Sequence, residues 1–422
     1  MHERGEIKDN GLSMLELIKS RLSPFKHRDY MLFFFAQTLS MVGTFSHDLA
    51  RSWIIVDTLG SSGALGNIQM AAAIPCLALI LHGGVYVDRA NVRRLMMVTK
   101  GLMGLAAVTL ALVTEWSTLE YWHLLLYALI EGTITAFDSP AFTALVVKMV
   151  PKADFRQAIA LNSTNFHTAR MLGPIIAGLL MSWYGPSLVF LIDGLTYFLV
   201  VFVLSRVNVT HLEAAKNTAS RGWAGLFEGL KYIHRTHRLR YRVGQLFITI
   251  GFMIPMVTSI FRVYIQQKFN LTSAEFGTVF MFPALGSMLG AFSFAAFQPK
   301  DPLGSLLFAI PVSIFGLVLL PWLPVLTMAT ACMTAIGFSL YLAFASLTVS
   351  MQLEVDDRFR GRMSSVIQMG FFGLGPVMSG PWGHLADKIG PPAAMFWCAG
   401  GFALCSLLLA FLHYLTINGR LK

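Results

Sequence analysis

Apolar runs recur along the whole 422-residue chain, and within each run the hydrophobic positions are continuous rather than alternating. A run of about 20 apolar residues is long enough to cross the hydrocarbon core of a bilayer as a helix. Lipid offers backbone N–H and C=O groups no partner, so only helices or a closed barrel can cross it. A barrel strand alternates apolar with polar positions, and these runs do not, so they predict helices. Twelve spans are expected, at about 30–57, 66–88, 93–115, 120–148, 157–183, 187–206, 242–267, 274–298, 303–322, 325–352, 362–386 and 392–414.

The pattern repeats at an offset of 202 residues. Ala141-Phe142-Thr143-Ala144-Leu145-Val146-Val147-Lys148-Met149 returns as Ala343-Phe344-Ala345-Ser346-Leu347-Thr348-Val349-Ser350-Met351, and Asp154 and Arg156 fall on Asp356 and Arg358. Leu172-Gly173-Pro174 with Gly178 returns as Leu374-Gly375-Pro376 with Gly380. Without gaps, 12 of the 40 positions from Ala141 to Leu180 match, which predicts two like halves, spans 1–6 and 7–12. Like halves in a membrane can rock about a site held between them. The expected organisation is an N-terminal segment at 1–29, a first six-helix bundle at 30–206, a linker at 207–241, a second bundle at 242–414 and a tail at 415–422.

Charge sharpens this reading. Charged residues make up 13% of the chain, about half the share of a soluble domain. The net charge is +10, but 26 of the 32 Lys and Arg fall at the termini or in loops after even-numbered spans. Loops after odd-numbered spans hold only Lys268 and Lys388. This sorting predicts both termini in the cytoplasm and argues against nucleic acid as the partner of a basic chain. Met14, Leu15, Leu17, Ile18 and Leu22 predict a short helix lying on the inner membrane surface. In the linker, Trp223, Leu226, Phe227, Leu230 and Ile233 share a helical face, opposite Lys231, Arg235, Arg238 and Arg240. That stretch fits either a helix on anionic lipid or a solvated connector. Cys76, Cys332, Cys398 and Cys405 all lie inside spans and form neither a disulfide framework nor a zinc set.

The sharpest local motif is Gly84-Val85-Tyr86-Val87-Asp88-Arg89-Ala90-Asn91-Val92-Arg93-Arg94, between spans 2 and 3. Gly84 is expected to permit close helix contact, Asp88 to face an Arg or a helix N-terminus, and Arg89, Arg93 and Arg94 to meet anionic headgroups. At these residues the chain resembles the major facilitator superfamily of secondary transporters. Gly173-Pro174-Ile175-Ile176-Ala177-Gly178 in span 5 is similar to that family's antiporter signature, with Ala177 in place of a glycine. A narrower resemblance, to enterobactin exporters and macrolide-efflux proteins, rests on Arg28-Asp29-Tyr30, Gln37, Gly43, Trp53, Pro140-Ala141, Ala160-Leu161-Asn162-Ser163, Ala169-Arg170 and Arg358-Phe359-Arg360-Gly361-Arg362. The resemblance implies an all-α, twelve-helix fold with helices 1, 4, 7 and 10 around a central path. It also implies residence in the bacterial inner membrane and proton-driven export of small molecules. One departure stands out: drug antiporters of this family often carry an Arg in helix 4 where this chain has Ala128.

Ionisable residues inside spans are costly and mark functional sites by default. Glu131, Asp48 and Asp193 are the expected proton-coupling groups, and Arg51, Arg262 and Arg170 the expected substrate-path cations. Asp48 and Arg51 share a helix face, and Asp48 and Glu131 lie at similar depth, roughly 14–17 Å from the outer helix ends. A structural pair, Glu131 with Arg170, is the plainer alternative. Gly173, Pro174, Gly178, Gly375, Pro376 and Gly380 are expected to form paired, closely packed sections that slide during transport. The expected partners are a small-molecule substrate, protons and membrane lipids, with no cofactor and no metal; the working unit is expected to be a monomer. An excess of Arg over carboxylate slightly favours a siderophore-like anion over a cationic drug. An importer, a lysolipid flippase and a non-transporting sensor or assembly protein are the alternatives. No H-E-x-x-H, nucleophile elbow or P-loop is present, so enzyme chemistry and direct ATP drive are not expected.

Overall fold

The computed structural model describes residues 22–207, 222–297, 302–356 and 359–417, and the surface helix expected around residues 14–22 falls almost wholly outside them. The first half comprises α1 (Arg28–Leu59), α2 (Ser62–Arg89), α3 (Val92–Trp116), α4 (Tyr121–Met149), α5 (Phe155–Tyr184) and α6 (Pro186–Arg206). After the linker helix α7 (Gly222–Arg235), the seventh span runs from α8 (His237–Pro255) through a π turn (Met256–Ile260) into α9 (Phe261–Phe269). Then come α10 (Ser273–Phe297), α11 (Leu306–Leu319) and α12 (Leu326–Glu354). The eleventh span passes from α13 (Arg360–Met369) through a second π turn (Gly370–Leu374) into α14 (Gly375–Ile389), and α15 (Pro391–Ile417) closes the fold. The twelve spans form two pseudo-symmetric six-helix halves.

Eight of the twelve are long and apolar enough to cross a membrane on length and composition alone. Three of the other four are α1, α4 and α5, which carry Asp48 with Arg51, Glu131 with Asp138, and Arg170. Large apolar side chains such as Phe35, Leu105, Phe292 and Leu407 are exposed on the outer surface, as a lipid-facing wall requires. The short turns follow local chemistry. Gly60 takes φ 56° to end α1, and Ser61 then accepts the Ala64 amide at 2.9 Å to start α2. Gly185 (φ 78°) before Pro186 and Gly390 (φ 87°) before Pro391 make the same tight turn in each half.

Contacts repeat as the sequence does. In the first half α2 packs on α4, α3 on α6, and α1 on α5 and α6; in the second α10 packs on α12, α11 on α15, and α8 on α14 and α15. The halves meet along α2–α14 and α5–α10. Backbones approach closely where side chains are missing. A Cβ on Gly132 would collide with the Ala72 backbone, and one on Gly178 would sit 2.7 Å from the Ser273 carbonyl and 3.0 Å from the Gly277 Cα. Gly84 corrects the sequence reading, because nothing lies within 4 Å of where its Cβ would be. Its neighbour Gly83 makes the close contact, against the Ala136 backbone. The one-residue difference turns the small face of α2 by about 100°, from solvent or lipid toward α4.

The linker helix docks on protein. Glu228 pairs with Arg362 at 2.8 Å, Tyr232 stacks on Phe359 at 4.2 Å, and Ile233 is buried. A repeated device sits at the start of each half. Asp154 accepts from Ser23 at 2.5 Å and contacts His27 at 3.0 Å, while its counterpart Asp356 accepts from Tyr232 at 3.4 Å. The Ser23 and His27 hydrogen bonds hold the Asp154 carboxyl below its ordinary range.

Gly132→Ala is expected to lower the thermal midpoint of the purified protein, at an overpacking cost of about 1–3 kcal/mol. Gly84→Ala, into open space, is expected to leave it unchanged. Tryptophan fluorescence melts of both variants make the comparison.

Candidate functional site

At mid-depth the two halves are joined by a chain of charges. Arg51 of α1 donates to Glu131 of α4 at 2.8 Å and to Asp48, one turn earlier on its own helix, at 3.2 Å. Arg262 of α9 donates to the other Asp48 oxygen at 2.8 Å and also to the Ser52 hydroxyl. The order is Glu131–Arg51–Asp48–Arg262, and the last link crosses from one half to the other. The helix period places Asp48, Arg51 and Ser52 on one face of α1, so a single helix presents carboxylate, guanidinium and hydroxyl together. Arg51 also lies over the Tyr127 ring (5.9 Å) and Arg262 over Phe280 (5.8 Å), so the flat faces of both cations rest on aromatics. The carboxylates remain reachable: the Asp48 and Glu131 side chains are 29% and 22% accessible, although both sit in the middle of long helices.

Arg170 stands apart. It is the central residue of α5, partly buried, and among the described residues it has no hydrogen-bond or ion-pair partner. The alternative pairing of Glu131 with Arg170 does not form, because Arg51 is closer in register to Glu131 and takes both carboxylates. Asp193 of α6 is not in this chain of charges either. It is fully buried inside the first half, 3.0 Å from the ring of His47 on α1, which stacks on Tyr127 (4.4 Å) and Phe190 (4.5 Å).

Two residues escaped the sequence reading. His47 precedes Asp48 directly and is turned about 100° from it on α1, toward Tyr127 and Asp193, and a lone histidine there carries no pattern. Asp138 lies seven residues after Glu131, inside the same span, and the rule that flagged Glu131 applies to it equally. It accepts from Lys100 at 2.8 Å and Thr99 at 2.7 Å, and Lys100 lies over the Tyr197 ring at 5.4 Å.

Comparison with known proteins agrees with this geometry. The model of the transmembrane secretion effector family, MFS_3, matches residues 19–418. The chain belongs to that major facilitator family. The Staphyloferrin A transporter of Staphylococcus aureus is 24% identical over 360 residues, 82% of this chain and 87% of that protein. The multidrug efflux pump Tap of Mycolicibacterium fortuitum is 23% identical over 92% of this chain and 96% of the pump. Macrolide efflux protein A of Streptococcus pyogenes is 20% identical over 63% of this chain and 66% of that protein. A solved bacterial homologue of the human lysosomal transporter Spinster, inward-facing and unoccupied, shares the fold with TM-score 0.67 and 16% identity, covering 93% of this chain and 95% of that one. The nucleoside transporter NupG gives TM-score 0.69 at 13% identity, over 91% and 98%. The protein is thus a multi-pass membrane transporter of the major facilitator fold.

The signature residues of this transporter take distinct places. In the loop between α2 and α3, Arg93 donates to the Leu204 and Ser205 carbonyls at 2.6 and 2.8 Å, closing the end of α6. The Arg94 amide donates to Asn91, which caps α3. Asp88 and Arg89 are exposed at the end of α2. Gly173 packs on Phe45 and Ser46 of α1, and its counterpart Gly375 on Ile250 and Ile254 of α8. Gly178 meets α10, and Gly380 meets Met70 of α2, so the repeated motif lines both seams between the halves. Pro174 and Pro376 follow these glycines within the same close-packed sections.

Removing one partner of the charge chain leaves the other uncompensated in a low-dielectric site. Arg51→Gln and Glu131→Gln are each expected to lower stability by about 3 kcal/mol. The double variant is expected to fall short of the sum by about 0.5–3 kcal/mol, the coupling of the pair. Thermal or denaturant melts of the four proteins give that cycle.

Proposed function

We propose that this chain is a proton-coupled exporter of amphipathic small molecules that works by alternating access. The observation that carries the reading is the ionic link across the two halves through Asp48 and Arg262. A proton on Asp48 removes the charge that Arg262 is paired with and weakens the tie between the halves. A proton on Glu131 releases Arg51. Each event leaves a guanidinium free to meet a substrate, so proton binding and substrate binding compete for the same partners. Buried or half-buried carboxylates with specific charge partners are the usual currency of such coupling.

Where the halves touch supports export. Asp387 at the end of α14 accepts from Ser61 at 2.6 Å and from the Ser62 and Gly63 amides at 2.8 and 3.0 Å at the start of α2. His384 contacts Asn67 at 3.0 Å, and Gln267 donates to the Gly60 carbonyl at 3.3 Å. These latches lie at the end away from the chain termini. With that end held shut, access to Asp48 and Glu131 in this reading is from the side of the termini. The sorting of Lys and Arg supports a cytoplasmic position for that side in a bacterial inner membrane, where an exporter loads. Relatives named for drug efflux and for Staphyloferrin A support a drug-like or siderophore-like cargo.

In proteoliposomes with an imposed pH gradient and a panel of siderophores, drugs and lysolipids, the wild-type protein is expected to move at least one class against its gradient. Glu131→Gln is expected to reduce that driven transport at least tenfold while substrate exchange without a gradient continues. Full driven transport by Glu131→Gln removes the residue from the coupling role.

A further inference from the structure

The chain of charges leaves one cation over. Around the meeting point of the halves stand three guanidiniums, Arg51, Arg170 and Arg262, and two carboxylates, Asp48 and Glu131. Arg51 and Arg262 consume both carboxylates. If all five groups are ionised, the cluster carries a formal charge of +1. Arg170 is the group with no partner among the described residues, yet it lies within electrostatic reach of both Arg262 and Asp48. An unpaired cation at the centre of a membrane helix is costly, and such groups persist where they serve a ligand.

The surroundings of Arg170 complete a site. The Ser46 hydroxyl donates to the Gly173 carbonyl, which fixes the register of α1 against α5. By that register Arg170 lies level with Gly43, about 7 Å along the axis from Asp48 and nearer the termini. A molecule entering from that side meets Arg170 before it meets the charge chain. One turn further toward the termini on α5 is His167, whose Nδ1 is buried and has no hydrogen-bond partner. Its ring meets Tyr341 of α12 edge to face at 5.2 Å, so the second half supplies one wall. Next to it Phe166 packs against Phe45 of α1 at 5.4 Å. A lone guanidinium, an unsatisfied imidazole nitrogen and aromatic walls from both halves stand together.

Resting on the transport reading above, we infer that Arg170 and His167, with Tyr341, form the loading subsite for the head group of an amphipathic monocarboxylate. A carboxylate matches the planar fork of one guanidinium with two parallel hydrogen bonds. It also brings one negative charge to a cluster with one positive charge in excess. A dianionic phosphate would overbalance that charge, and a cation would be repelled by Arg170.

The test uses the full-length protein in lipid nanodiscs, with N-dansyl-6-aminohexanoate and its primary amide as probes and dansyl fluorescence as the readout. The two probes differ only in the charge of the head group. The wild-type protein is expected to bind the acid at least tenfold more tightly than the amide. Arg170→Gln is expected to erase that preference, Arg170→Lys to retain part of it, and His167→Ala to weaken acid binding severalfold. Thermal melts identify any variant that fails to fold, and the wild-type acid-to-amide ratio alone remains decisive in that case. Equal binding of acid and amide, no binding of either, or an unchanged preference in a folded Arg170→Gln overturns the assignment. The coupling reading fails separately: if a pH gradient drives no transport while the acid is still preferred, the subsite stands and the coupling falls.

Discussion

Asp48 holds two guanidiniums at once, Arg51 from its own helix and Arg262 from the other half of the molecule. Two charges alone in a low-dielectric interior would not repay the loss of their water. Four in a row, with Ser52 and two aromatic faces filling the remaining sites, come closer to doing so. The row is continuous from α4 in the first half to α9 in the second, so it ties the charges inside one bundle to the seam between the two. Few other polar contacts described at that depth join them, so the Asp48 carboxylate is a principal polar tie between the two bundles.

The seams themselves are built on close backbone approach. Glycine brings backbones together at Gly66 with Ser379, Gly383 with Ser62, and Gly178 with Gly277. Helices in contact through bare backbone bury little side-chain interlock, so sliding costs less than it would between meshed leucines. The Asp387 latch adds directional hydrogen bonds at one end only. The seam is therefore strong at its rim and smooth below it.

Most of the fold was legible in the chain because its causes are local or repeated. Continuous apolar runs specify spanning helices, and the 202-residue offset specifies two halves without any knowledge of contacts. Asp48, Arg51, Glu131 and Arg262 were legible as costly residues inside spans. Their wiring was not, since it depends on which helix faces which at a given depth: Arg51, rather than Arg170, took Glu131. Gly84 shows the same limit in miniature, one residue away from the Gly83 that does the packing. His47 and Asp138 were missed for different reasons. The first carries no sequence pattern of its own; the second obeyed a rule that was applied to its neighbour and not to it. The contacts of the linker helix with protein, Glu228 with Arg362 and Tyr232 with Phe359, were not legible, because sequence separation hides those partners.

The two halves look alike in topology but differ in the regularity of their helices. Spans 1 and 5 are unbroken α-helix, whereas their counterparts 7 and 11 each pass through a π turn, after Pro255 and before Gly375-Pro376. A π turn inserts an extra residue and loosens the regular ladder at that level. Each half also carries internal pairs, Lys100 with Asp138 between α3 and α4 in the first and Arg242 with Glu354 between α8 and α12 in the second. The π turn of span 7 ends two residues before Arg262. The duplicated architecture is thereby unequal, with the looser helix ladder beside the guanidinium that reaches across to Asp48.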